Sequence, residues 1–300
     1  MIDAAQLAAL AAVLRLGSFD RAARQLGVTS SAISQRIRLL EERIGAVLVI
    51  RSQPCEATET GLRVLRHAEE VGLLEQALRR ELGLVEEIAT QVTVRLAVNA
   101  DSLATWFIDA MAETPDLLFD LVLDDQDHSA DWLKRGEVRA AISSSPHAVQ
   151  GCDCLPLGAL RYVATASPAF VERWFPAGRV TVASMTKAPA LVFNRKDRLQ
   201  QQWTALVLGE ASVGPCHWLP SSQAFVDAAV AGLGWGMNPE GLVRPLIDQG
   251  RLAALLPKTP LDVPLYWHVS RSVQSVLRPL TKAVTKAAGR HLRPIEKTGP

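Results

Sequence analysis

The sequence predicts an N-terminal all-α winged helix-turn-helix, a long linker helix and a C-terminal two-lobed α/β domain. Three observations predict it. Up to Leu82 the apolar residues recur at helical spacing between cap and stop residues. The tract VTSSAISQRIRLLEERIG, Val28 to Gly45, sets a polar stripe against an apolar one. From Val92 onward, short β-branched runs alternate with amphipathic helical stretches.

Asp3 suits the cap of a first helix through Leu16, with Leu7, Leu10 and Leu14 on one face and Gly17 as the stop. Ser18 caps a short second helix whose face is Phe19, Ala22, Ala23 and Leu26, and the small alanines admit another helix at close range. Thr29 or Ser30 then caps a third helix, which turns Ile33, Ile37, Leu40 and Ile44 inward. Helix, short helix, turn containing Gly27, helix is the helix-turn-helix order, and the third is its recognition helix. After Gly45, AVLVIRSQPCEATETG reads as two short strands around a turn at Gln53 and Pro54, a wing that Arg51 enters from the first strand. From Thr58 a long helix, interrupted by Gly72, carries Leu62, Leu65, Leu74, Leu78 and Leu82 as a stripe suited to pairing with a copy of itself.

Beyond Val92 the runs VTVRLAV, LFDLVLDD, RAAISS, YVATAS, ALVFN, CHWLPS, GWGMNP and PLYWHVS read as strands of largely parallel sheets. The remaining length, about 200 residues, leaves room for two lobes with a cleft between them.

Lys and Arg number 32 against 31 Asp and Glu, so net charge by itself names no partner. Placement does. Between Met1 and Arg66 the cations are Arg15, Arg21, Arg24, Arg36, Arg38, Arg43, Arg51, Arg63 and Arg66, with no Lys. Cys55, Cys152, Cys154 and Cys216 are few and irregularly spaced, which suits a reducing compartment, and the lone CxC at Cys152 and Cys154 is not read as a metal site. No signal peptide is read at the N-terminus, and no apolar run reaches the roughly 18 residues of a membrane span. A soluble, cytoplasmic protein with no metal and no membrane partner is expected.

Phe19 to Leu26 followed by VTSSAISQRIRLLEERIG, then LVIR and ATETG, resembles the N-terminal signature of LysR-type transcriptional regulators. The α/β remainder is similar to their two-lobed, periplasmic-binding-protein-like effector domain. Within it VNADSLATWF, LGALRY, VPLYW and SSQAFVDAAVAGLGWGMNPE resemble the ArgP/LysG branch, which senses basic amino acids and controls their exporters. The resemblance spans essentially the whole chain. It implies a regulator that binds an operator in double-stranded DNA and assembles as a homodimer or homotetramer, with RNA polymerase a candidate partner. It implies no cofactor, only a small effector: L-lysine or L-arginine, with histidine a further candidate. In the wing, Gln53 and Pro54 stand where many members carry a second basic residue, which implies a modest wing share of phosphate binding. The expected division is 1–58 for the DNA-binding domain, 59–90 for the linker helix and 91–300 for the effector domain. Its lobe I covers about 91–162 and 267–295, and its lobe II about 163–266.

Ser31, Ser34, Gln35 and Arg38 follow i, i+3, i+4, i+7 spacing and line one helix face, which can enter a major groove or simply face water. Gln can bridge adenine N6 and N7, Arg can reach guanine or phosphate, and short hydroxyls, Ser30 included, permit close approach. Arg51 and Thr58 are placed for phosphate, although Thr58 can equally be only a helix cap.

In the α/β domain Asn99, Asp101 and Ser102 sit where the first strand ends and a helix begins, the place where open α/β sheets bind ligands. Ser102 and the helix start can hold an α-carboxylate, and Asp101 offers an anion to an ammonium or guanidinium. Asp124, with Asp125 and Asp127, follows the next strand; these acids read as a solvated loop by themselves, and the resemblance favours a ligand role for Asp101 and Asp124. Ser143 ends the third strand. Asn194, Ser221, Ser222 and Phe225 hold the corresponding positions of the opposite wall.

Two other classes are weighed. An enzyme lacks support, because GxSxG, P-loop and HExxH motifs are absent and the six histidines are scattered. A two-lobed amino-acid-binding protein with no DNA-dependent role shares the architecture, and the N-terminal helix-turn-helix argues against it.

Overall fold

The computed structural model describes residues 2–83, 92–123 and 129–295. The chain divides into two compact units, Met1–Thr93 and Val94–Pro300.

In the first unit α1 (Ala4–Leu16) starts where the Asp3 carboxylate accepts from the Ala5 amide at 2.7 Å. It stops at Gly17, whose left-handed backbone suits glycine. That glycine serves a second purpose, since a Cβ there would lie 2.6 Å from the Pro54 side chain. Ser18 caps α2 (Phe19–Gln25), and Thr29 caps α3 (Ser30–Ile44) by accepting from the Ala32 amide at 3.2 Å. The wing is β1 (Val49–Ile50) antiparallel to β2 (Glu56–Ala57). Glu41 ties it to α3 by accepting from the amides of Leu48 at 2.8 Å and Val49 at 3.3 Å. Leu7, Leu10, Val13, Ala22, Ala23, Ile33, Ile37, Leu40, Leu48 and Val64 form the core.

The linker helix, α4 (Glu59–Glu81), is continuous. Gly72 lies within it and does not interrupt it, because the surrounding residues complete the ladder and one glycine costs only about 1 kcal/mol against alanine. Gly61 matters more. A Cβ at that position would stand 2.0 Å from the Leu48 carbonyl oxygen, so only glycine lets the helix lie against the wing. Val64 and Ala68 continue the packed face, whereas Leu62, Leu74, Leu78 and Leu82 are exposed.

The second unit follows the order β3 (Val92–Val98), α5 (Ala100–Ser102), a π-turn at Leu103–Phe107, α6 (Ile108–Ala112), β4 (Leu117–Leu123), α7 (Ser129–Lys134) and β5 (Ala140–Ser143). Next come β6 (Cys152–Ala166), α8 (Pro168–Trp174), α9 (Val182–Met185), β7 (Ala190–Val192), α10 (Leu199–Leu208), β8 (Cys216–Trp218) and α11 (Ser222–Val230). The chain closes with β9 (Gly236–Pro239), α12 (Glu240–Asp248), β10 (Ala253–Ala254), β11 (Leu261–Ser270) and α13 (Arg278–His291).

The main sheet runs β10-β6-β11-β5-β3-β4, with β9 also on β6. The pairings correct the expectation of largely parallel sheets: β3–β5 here and β7–β8 in a separate two-stranded sheet are parallel, but β6 pairs antiparallel with β9, β10 and β11, and β11 with β5. The reason is that β6 and β11 are two long strands that serve both lobes, β6 pairing with β11 from Cys152 to Tyr162 and, at its end, with β9 and β10. The part of β6 before Tyr162 was not expected as strand, since Pro156 and Gly158 interrupt its pattern. These residues sit where the register shifts opposite Leu265 and Tyr266, so the ladder is already broken there. Gly158 has φ +136° and faces Leu292, whose Cβ would be 2.7 Å from an added Cβ. Trp106, Trp203, Trp235 and Trp267 are fully buried and pack the core.

Candidate nucleic-acid face and ligand cleft

On α3 the polar stripe is exposed or half-buried: Ser31, Gln35 and Arg38 open to solvent, Ser30 and Ser34 partly covered. The start of the helix is pre-set by side chains, with Thr29 Oγ1 2.9 Å from Ser31 Oγ and Ser30 donating to Asp20 at 2.5 Å. Ser30 therefore braces α2 against α3. Arg38 pairs with Glu42 one turn on at 2.9 Å, both side chains more than half exposed. Such a pair contributes about 0–1 kcal/mol, so a phosphate or guanine can displace it at small cost. Arg51 lies over the Phe19 ring with its guanidinium carbon 4.9 Å from the centroid, which brings the wing's cation to the start of α2.

Thr58 takes a structural role here. Its hydroxyl donates to the Val47 carbonyl at 2.7 Å and accepts from the Gly61 amide at 2.9 Å, so it caps α4 and has no donor left for a phosphate.

In the second unit an open cleft of about 750 Å³ is lined by Asn99, Ala100 and Asp101 at the end of β3, Tyr162 on β6, and Val263 on β11. Its other wall is Phe193, Asp197, Arg198, Leu199, Gln202, Ser222, Phe225 and Met237 to Pro239. Asp101 joins the walls. Its Oδ2 accepts from the Tyr162 hydroxyl at 2.8 Å and its Oδ1 from Ser222 Oγ at 2.6 Å. Tyr162 and Ser222 are buried, Asp101 half-buried.

Of the residues expected at this site, the cleft gathers Asn99, Asp101, Ser222 and Phe225. Ser102 is fully buried and is not a lining residue. Ser143 accepts from the Ser145 amide at 3.1 Å within its own turn, and Asn194 accepts from the amides of Lys196 and Asp197 at 2.7 and 3.1 Å. Ser221 caps α11 through the Ala224 amide at 3.3 Å. These three are turn and cap residues, because short polar side chains beside a free amide bond locally first. Asp124 lies outside the described residues.

Sequence reasoning missed Tyr162, Asp197, Arg198, Gln202 and Asn238. Tyr162 meets Asp101 across 61 residues of chain, and no local pattern carries that information. Asp197 and Arg198 follow Asn194 in the turn before α10, and an Asn-x-x-Asp turn at a helix start was the available signal. The Asp197 carboxylate holds that turn by accepting from the amides of Phe193 and Leu199, both at 2.9 Å. Among the described residues no group of three metal-ligating side chains comes together, and no helix is long and apolar enough to cross a membrane.

Comparison with known proteins places both units. Residues 4–62 match the bacterial regulatory helix-turn-helix protein family of the lysR type, and residues 90–293 match the LysR substrate binding domain. The chain is 42% identical over 299 residues to the HTH-type transcriptional regulator ArgP of Pseudomonas fluorescens (strain Pf0-1), covering 99% of this chain and 100% of that one. It is 43% identical over 288 residues to LysG of Mycobacterium bovis, covering 96% and 94% of the two chains. Among solved structures, ArgP from Mycobacterium tuberculosis superposes with a TM-score of 0.77 at 41% identity, over 98% of this chain and 100% of that one. Full-length LysG from Corynebacterium glutamicum with bound effector Arg superposes with a TM-score of 0.66 at 33% identity, over 97% and 100%.

Proposed function

The chain belongs to the LysR family of bacterial regulatory helix-turn-helix proteins, and on that premise we propose that it senses a basic amino acid, lysine or arginine, in the cleft and thereby controls an amino-acid exporter gene. Residues 1–58 read the operator, 59–90 pair two copies, and 91–300 bind the effector. The observation that carries the effector reading is the Asp101 carboxylate, held between the Tyr162 and Ser222 hydroxyls in a cleft that also presents Phe193, Leu199, Phe225, Met237 and Val263. A cation entering such a cleft loses hydration, and a carboxylate offsets that loss where a neutral side chain needs no such partner. The arginine bound to the Corynebacterium glutamicum relative supports the same class of ligand.

On the DNA side, Ser31, Ser34, Gln35 and Arg38 supply base and backbone contacts, and Arg51 a phosphate contact. Regulation works by linkage. Ligand that binds one lobe arrangement more tightly shifts the assembly toward it, and the coupling is reciprocal with DNA affinity. Binding without chemical change to the ligand is the whole of its activity.

The test is calorimetric titration of the full chain with lysine, arginine, histidine and norleucine, paired with operator binding with and without each amino acid. Lysine or arginine is expected to bind more tightly than norleucine and to change operator affinity. Equal binding of norleucine would sink the effector reading.

A further inference from the structure

The cleft carries one cation whose partner has to come from outside. Asp197 is 8% exposed and its two carboxylate oxygens are engaged by the Phe193 and Leu199 amides, which fixes the turn that leads into α10. That turn presents Arg198 as the residue immediately before the helix, with its side chain exposed and lining the cleft. Neighbouring cations in the same segment are engaged: Arg195 lies over the Trp218 ring at 5.5 Å. Arg198 has no carboxylate within salt-bridge distance among the described residues, and no hydrogen bond from its side chain is formed there. The acid on the opposite wall, Asp101, is bound to Tyr162 and Ser222.

An unpaired guanidinium sits poorly in a site meant only for cations. If both ends of the ligand were positive, Arg198 would repel it. The arrangement makes sense for a ligand with a negative end and a positive end. We propose that Arg198 anchors the α-carboxylate of the bound amino acid, while Asp101 takes the cationic side chain; this rests on the reading of the cleft as a basic amino-acid site. The fixed fork of a guanidinium matches a carboxylate in two parallel bonds, which a lone hydroxyl such as Ser102 cannot supply. Phe193, Leu199, Phe225, Met237 and Val263 then flank the methylene stem. The cleft selects a free amino acid, and it discriminates against the same chain when the carboxylate is amidated or absent.

The experiment titrates the full-length wild type, Arg198→Ala and Arg198→Lys with L-lysine, L-lysinamide, cadaverine and norleucine, with thermal unfolding of each variant as a control for folding. Wild type is expected to favour lysine over lysinamide by roughly ten- to a hundred-fold, the range of one charge-assisted contact. Arg198→Ala should bring lysine down to the lysinamide level, while lysinamide and cadaverine bind as well as in wild type or more tightly, because the repelling guanidinium is gone. Arg198→Lys should recover part of the difference, because it keeps the charge and loses the fork. Equal binding of lysine and lysinamide by wild type, or a preference that survives in Arg198→Ala, overturns the assignment. Norleucine bound as tightly as lysine, with both weakened in Arg198→Ala, would sink the basic-side-chain reading and support the carboxylate anchor. Wild type that binds none of the four overturns both.

Discussion

Asp101 Oδ1 accepts a hydrogen bond from Ser222 Oγ at 2.6 Å, joining residues 121 positions apart across the two walls of the cleft. The same carboxylate accepts from Tyr162 on the strand that serves both lobes, so a single side chain is bonded to both walls and places a carboxylate between them.

Replacing Asp101 with Asn keeps an acceptor for one hydroxyl and removes the charge. Lysine and arginine binding should weaken by about ten-fold or more, the scale of one charged hydrogen bond, while residual norleucine binding changes little. Calorimetric titration of both proteins measures this. An unchanged preference for lysine over norleucine would reduce Asp101 to a brace between the walls.

On the DNA face, Gln35→Ala and Arg38→Ala should each lower discrimination between operator and random DNA by about 1–3 kcal/mol. Arg51→Ala should weaken binding to both and reduce the salt dependence by about one unit of slope. Binding to both DNAs over a salt series separates the roles. Equal losses on operator and random DNA for all three variants would remove the base-reading assignment.

Leu74 and Leu78 lie one turn apart on α4 and are 43% and 55% exposed, an apolar edge that a second copy can cover. The double variant Leu74→Glu, Leu78→Glu should shift the full chain toward smaller species in light scattering at micromolar concentration. An unchanged molar mass would mean that self-association uses another surface.

Gly61→Ala should destabilise the N-terminal unit by about 1–3 kcal/mol or more, because its Cβ would meet the Leu48 carbonyl at 2.0 Å and force α4 off the wing. Chemical denaturation followed by helix content reads this out, and Gly72→Ala, with nothing near its Cβ, is the neutral or stabilising control.

His268 is fully buried; burial pushes its pKa below the ordinary histidine value, and the hydrogen bond to the Ser145 carbonyl at 3.0 Å opposes this only in part. A depressed folded pKa means that the unfolded chain takes the proton first. This contribution to stability is full above the unfolded value of about 6.5 and is lost as pH falls through the folded one. Stability should therefore drop on acidification below about pH 6.5, by at most about 1.4 kcal/mol per pH unit from this one group, and His268→Gln should flatten that slope. An identical pH profile for the variant would assign the loss to other groups.

The helices of the first unit were legible because their causes are local: Asp3, Ser18 and Thr29 cap them, Gly17 and Gly45 stop them, and Ile33, Ile37 and Leu40 repeat at the helical period toward a single core. The polar face of α3 follows from the same spacing. Asp101 was legible too, since the end of a first strand and the start of a helix are visible in a few residues. What the sequence could not decide depends on atoms brought together from far along the chain. Gly61 is required by the Leu48 carbonyl, Thr58 caps α4 through Val47, and the interrupted start of β6 is a strand because β11 lies beside it. The cleft is the plainest case: Ser143, Asn194 and Ser221 satisfied the local pattern and bonded to their own turns, whereas Tyr162, Arg198 and Asn238 became its walls through the packing of the lobes. Local hydrogen bonding and periodicity are properties of neighbouring residues, but the lining of a cleft is a property of three-dimensional closure.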